Sequence, residues 1–313
     1  MDLSSDRTES NRVAFLFILI PTIMLIVGYI LYPEPSYSDD LSIILLQIPM
    51  FVGLVLLGIG FFIKNFIGSI IKILGWFVFA AYWATQPAIM YLSEDGDIFN
   101  AVVCILGIYL LFYIAYHQWV SIKRKENISC LNWIAGASSF AGIIYFGIER
   151  TALGSLFTKK VAEQSEWVLN SIIGNSDISG THISLDGNYA VTIIFACTAI
   201  QAMVVFIGMI GALPKINLKR KMIGLMITLI PIYILNLFRN AMVAFLIGKD
   251  ITDFFIAHNV ISKIGALITL IILLFIVIKL IPEIFEEIMC LVDLHKRNGP
   301  IEKAVKKIFR SKK

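Results

Sequence analysis

Two side chains stand where a lipid bilayer should exclude them: Cys197 within the apolar run from Tyr189 to Leu213, and Arg239 within the run from Met222 to Ile247. An Arg at the centre of a membrane helix costs about 2.5 to 3.5 kcal/mol on insertion scales, so one that persists there faces the protein interior and has work to do. A thiol beside a guanidinium has a defined chemistry, because the cation stabilises the thiolate, which is the nucleophile. Polar residues gather around the pair. Gln201 follows Cys197 at i+4, Asn236 and Asn240 flank Arg239, and His258-Asn259 opens the next apolar run with Lys263 close behind. Imidazole both accepts and donates a proton near neutral pH, which makes His258 a candidate acid–base group. Lys263 competes for that role.

The elements that position these residues follow from composition. The 313-residue chain is 58% hydrophobic and 15% charged, with mean hydropathy +0.84, values that exclude a soluble globule and a disordered chain alike. It reads as an all-α integral membrane protein. A net charge of +4 suggests no nucleic-acid partner, because topology accounts for the basic residues. The four cysteines, Cys104, Cys130, Cys197 and Cys290, are widely spaced, and neither a disulfide framework nor a structural metal is expected. Cys104, Cys130 and Cys290 read as small hydrophobes. No cofactor is indicated. The first apolar run lacks a small-residue cleavage site and reads as a retained span.

A membrane helix needs about 20 apolar residues, and eight stretches qualify, at about 13–32, 41–63, 73–92, 98–120, 131–148, 190–213, 222–247 and 259–281. They predict one polytopic domain over 1–313, with core spans at 190–283 and a basic tail at 284–313. With both termini cytoplasmic, most of the 26 Lys and Arg fall on the inner side, including Lys123-Arg124-Lys125, Lys219-Arg220-Lys221 and the C-terminal tail. The outer loops at 33–40 and 93–97 carry acids instead. Between spans five and six lie about 40 residues, 149–188, on the outer side. Leu153–Ile173 has the pattern of an amphipathic helix at the interface, and His182–Ile194 reads as a hairpin turning at Asp186-Gly187-Asn188. This segment is either a spacer or a substrate lid.

Depth then links the candidates. At 1.5 Å per residue, Cys197 lies ~6 Å and Arg239 ~7 Å outward of their span midpoints, on adjacent antiparallel helices. Lys263, at ~10 Å, matches that level better than His258, at ~18 Å. The peptide bond to be attacked belongs near the interface, and imidazole suits proton transfer better than an ammonium, so His258 is preferred.

Three blocks, Ala196-Cys197-Thr198-Ala199-Ile200-Gln201, Phe238-Arg239-Asn240 and Ala257-His258-Asn259, resemble in order and spacing those of the archaeosortase and exosortase family. The resemblance covers roughly Tyr189 to Glu283. One position departs, since the family's first block reads Cys-Thr-Gly and Ala199 stands in place of the glycine; this bears on local helix geometry rather than on the nucleophile. The third block carries His in exosortases and Arg in some archaeosortases. The resemblance implies a transpeptidase of an archaeal cell membrane, its active site facing outside. Its substrates would be surface proteins ending in a Pro-Gly-Phe type motif, a membrane helix and a basic tail. Cys197 would form an acyl-thioester, Arg239 would stabilise the thiolate or oxyanion, His258 would shuttle protons, and a membrane lipid would accept the product. Two other classes compete, a polytopic transporter and a non-catalytic lipid-binding membrane protein. Only the nucleophile reading requires the thiol.

Overall fold

The computed structural model describes residues 3–31, 40–92 and 98–310. The acidic loop stretches on which part of the orientation argument rests, 32–39 and 93–97, lie outside the described residues. Eleven α-helices appear among the described residues. They are α1 (Leu3–Leu31), α2 (Asp40–Phe62), α3 (Phe66–Leu92), α4 (Ile98–Arg124), α5 (Ser129–Glu149) and α6 (Ala152–Ile172) in the first half. The second half holds α7 (Ile200–Gly211), α8 (Leu218–Gly248), α9 (Lys263–Leu280), α10 (Glu283–Val292) and α11 (Pro300–Arg310). Six helical stretches are long and apolar enough to cross a membrane: those of α1, α3, α4, α5 and α8, and the continuous stretch Phe255–Leu280. Shorter apolar helices, Gln47–Phe62 and Ile200–Gly211, occupy the positions of the expected second and sixth spans. The protein is therefore an all-α polytopic membrane protein, in which backbone groups within the bilayer, having no water to bond, pair along each helix.

By contact the chain forms two compact units, one of residues 1–139 with 287–313 and the other of residues 140–286. In the first, α2, α3 and α4 pack side by side, at points with no room for side chains. A Cβ on Gly53 of α2 would come within 2.7 Å of the Phe79 backbone nitrogen of α3, the close approach that small residues permit between membrane helices. Buried polar pairs fix the register. The Lys72 ammonium donates to Asn132 Oδ1 at 2.8 Å, and the Ser139 hydroxyl donates to the Leu54 carbonyl at 2.8 Å. Here the cysteine expectation fails: Cys130 of α5 and Cys290 of α10 form a disulfide, with Glu287 beside them. They are 160 residues apart, a separation at which local spacing carries no information about proximity.

The C-terminal helix α11 docks on α1 and α4 through a buried carboxylate. Glu302 accepts from the hydroxyls of Tyr113 (2.8 Å) and Tyr116 (3.0 Å) and lies 3.1 Å from His117 Nε2. Burial pushes this carboxyl up, but the hydrogen bonds from His117, the backbone and Tyr113 outweigh it and hold the group at about 2.

In the second unit the long connection is ordered and packed. The amphipathic helix expected at Leu153–Ile173 is α6. The expected hairpin is real but incomplete: three antiparallel strands, β1 (Ser176–Ser179), β2 (His182–Leu185) and β3 (Asn188–Thr192), pair in the order β1-β2-β3. Asp186 (φ 52°) and Gly187 (φ 80°) make the tight turn between β2 and β3, which needs left-handed residues at both central positions. Lys249, at the end of α8, bonds the Asp186 carboxylate at 2.6 Å and holds it below its ordinary range. Val161, Val168 and Leu169 of α6 bury against Ile183, Leu185 and Val191 of the sheet and Ala241 and Ala244 of α8. Cys197 belongs to this same cluster.

Candidate active site

The expected sixth span, 190–213, does not run as one helix. Its first residues form β3; a 3-10 turn, Phe195–Thr198, follows; and α7 begins only at Ile200. Pairing with β2 satisfies the backbone of Asn188–Thr192 outside the helix, so the apolar run splits. Cys197 therefore lies on the turn rather than on the helix, and the expected i+4 stripe with Gln201 is broken. The break is Ala199, whose φ of 63° and ψ of 0° place it in the left-handed region. That conformation favours glycine, since a Cβ there costs about 1 to 2 kcal/mol. Ala199 adopts it nonetheless, so the missing glycine leaves the turn intact. Thr198, 1% exposed, braces the turn by donating its hydroxyl to the Phe195 carbonyl at 2.7 Å.

Two amides of α8 hold the turn from the other side. Asn236 Nδ2 and Asn240 Nδ2 donate to the Cys197 carbonyl oxygen, at 2.8 and 3.1 Å. Asn240 Nδ2 also reaches the Ser165 hydroxyl at 3.3 Å, so α6 supports the same contact. Asn236 turns its other end to Arg239, whose NH1 donates to Asn236 Oδ1 at 3.1 Å. The amide thus joins the Cys197 backbone to the guanidinium. Its orientation is fixed by chemistry, because the flipped amide would set donors against donors and an acceptor against a carbonyl.

Arg239 also donates through Nε to Ser262 Oγ. Among the described residues no carboxylate pairs with it, and its hydrogen-bond partners are neutral. Sequence reasoning missed Ser165 and Ser262. A polar residue at i+4 from His258 within an apolar run was the available signal for Ser262, while for Ser165 no local pattern distinguishes it from its neighbours in α6.

His258 lies in a π-helical segment, Phe255–Ser262, that leads into α9. Such segments are rare and concentrate at functional sites. Its ring is half-buried and stacks on Phe254, with centroids 5.0 Å apart and planes 8° from parallel. Lys263 is exposed, and its charge also acts on His258. Of the two candidates, His258 is the more buried. The side chain of Asn259 lies outside the described residues. Gln201 is exposed and lines a cavity of ≈ 540 Å³ between α7, α8 and α9. Arg239, Asn236 and Ser262 form its polar wall, and Ala196, Ala199, Ile232 and Leu270 are among its apolar ones. Cys197 is 7% exposed and is not itself among the lining residues, although Ala196 and Ala199 near it in sequence are; it packs in the buried cluster of α6, the sheet and α8. The residues that line the cavity and their partners hold no cluster of metal ligands among the described residues; Cys130, Glu287 and Cys290 lie in the other unit.

The fold is that of a multi-pass membrane protein in which Asn236 links the Cys197 backbone to Arg239, while His258 makes no hydrogen bond to either and is not among the residues that line the cavity. Comparison with known proteins supports the archaeosortase family. The chain is 23% identical to archaeosortase A of Haloferax volcanii over 257 residues, 70% of this chain and 82% of that protein. It is likewise 23% identical to archaeosortase A of Natronomonas pharaonis over 256 residues, 70% of this chain and 79% of that protein. At the level of the family these relatives support a sortase-like membrane transpeptidase. No family model matches the chain, and no solved structure does.

Proposed function

We propose that this protein is a membrane-embedded cysteine transpeptidase that processes C-terminal sorting signals of surface proteins. The observation that carries the reading is the half-buried Arg239 guanidinium, held by neutral partners and lacking a carboxylate among the described residues, on the helix whose Asn236 and Asn240 clamp the Cys197 backbone. A cation partly withdrawn from solvent without a counter-ion favours an anion forming next to it, and the Cys197 thiolate would be that anion.

The substrate's apolar helix enters between the spans and brings a Pro-Gly-Phe type motif to the cavity, whose wall Ala196 and Ala199 form. The Cys197 thiolate attacks the scissile carbonyl carbon, and Arg239 donates to the oxyanion. The carbon–nitrogen bond breaks, the leaving amine takes a proton from the His258 imidazolium, and an acyl-thioester remains. An amine of a membrane lipid then attacks the thioester, gives its proton to His258 and expels the thiolate. The surface protein leaves with a lipid anchor. Surface-protein substrates call for a site on the outer side with both termini inside, in keeping with the bias of Lys and Arg toward the inner loops and tail.

The test is co-expression with a surface protein carrying such a signal, read by the electrophoretic shift on processing. Cys197→Ala and Cys197→Ser should each accumulate full-length precursor in the membrane. Processing that survives Cys197→Ala would refute the reading and favour a transporter or a lipid-binding role.

A further inference from the structure

We propose that Ser262 is a positioning residue that fixes the Arg239 guanidinium for its work on the Cys197 sulfur; the role rests on the transpeptidase reading above. Arg offers five N–H groups in one rigid plane, so two anchors at different nitrogens fix both its position and its tilt. Asn236 takes NH1 and Ser262 takes Nε. NH2 remains for the thiolate or the oxyanion. A single anchor would leave the fork free to rotate about the Asn236 contact, and a cation's effect on an anion weakens as the distance between them grows.

The placement of Ser262 fits this role and no other that the structure offers. It is 1% exposed, so its hydroxyl cannot be serving solvent. It is the last residue of the π-helical segment whose fourth residue is His258, so one irregular turn carries both the anchor of the cation and the proton carrier. Ser262 and Arg239 line the same cavity. A serine inside an apolar helix ordinarily bonds back to the carbonyl one turn earlier, whereas this hydroxyl is an acceptor for a guanidinium on the neighbouring helix.

The experiment measures modification of Cys197 in the full-length protein in detergent by methyl methanethiosulfonate, a small neutral reagent that reacts with thiolate. The modified peptide is quantified by mass spectrometry between pH 6 and pH 10.5. In Ser262→Ala the rate at neutral pH should fall about fivefold or more and converge on the wild-type rate at high pH, where the thiol ionises without help. Ser262→Thr, which keeps the hydroxyl, should restore the wild-type profile. A loss of packing alone would shift both variants or neither, and would not vanish at high pH. Equal profiles for wild type and Ser262→Ala, or a Cys197 unreactive at every pH in the wild type, would overturn the proposal. Because this measurement needs no substrate, its outcome is separate from that of the processing assay: a reactive, Ser262-dependent thiol with processing intact in Cys197→Ala would sink the transpeptidase reading alone.

Discussion

The left-handed Ala199 makes a sharp test of how the turn that carries Cys197 is held. Its φ of 63° costs an L-residue about 1 to 2 kcal/mol through the contact of Cβ with the backbone. Replacing it with glycine removes that cost, while the added freedom of the unfolded chain takes back about 0.5 to 1 kcal/mol. Ala199→Gly should therefore stabilise by roughly 0.5 to 1 kcal/mol, and Ala199→Val, whose branched Cβ tolerates this region least, should destabilise by 2 kcal/mol or more. For a chain of this size those energies correspond to a rise of about 1 to 3 °C and a fall of several degrees. The assay is thermal unfolding of the purified protein in one detergent at one scan rate, since a multi-span protein unfolds irreversibly and its midpoint depends on rate. Turnover of a sorting-signal substrate should be retained in the glycine variant, because the turn is unchanged, and lost in the valine variant. A lower midpoint for Ala199→Gly than for the wild type would refute the argument that this turn is under backbone strain.

Three further outcomes are expected. Arg239→Lys should lose at least about a hundredfold in turnover, since one ammonium cannot replace a fork held at two nitrogens by Asn236 and Ser262; near-normal turnover would reduce Arg239 to a diffuse charge. His258→Ala should abolish processing while Lys263→Ala retains most of it, in keeping with the half-buried ring and the exposed ammonium, and the reverse pattern would assign the proton transfer to Lys263. Glu302 has a folded pKa depressed from 4.5 to about 2, so its contribution is present above pH 4.5 and is lost as pH falls toward 2, on the order of 3 kcal/mol in all. Amide hydrogen exchange in α11 should accelerate over that window, and Glu302→Gln should weaken protection at neutral pH and remove the acid dependence.

Hydropathy and charge were enough to establish a polytopic helical membrane protein, because the cost of an unpaired backbone in lipid leaves the helix as the answer to a long apolar run. The run of α8 and that of α9 were legible to within a few residues, as were α6, from its amphipathic pattern, and the turn at Asp186-Gly187, whose residue types suit left-handed backbone. The three polar blocks around Cys197, Arg239 and His258 were also legible, since polar residues stand out against an apolar background. Tertiary contacts decided the rest. The hairpin of His182–Ile194 was expected, but not where its second strand gives way to helix: a 3-10 turn and the left-handed Ala199 hold back the start of α7 to Ile200, which moves Cys197 from a helix onto a turn. The Cys130–Cys290 bond joins residues far apart in the chain, and the Ser262 and Ser165 contacts join separate helices. Hydropathy is a property of each segment, read residue by residue; which side chains meet depends on how the segments pack, and that information lies in the shapes of many surfaces at once.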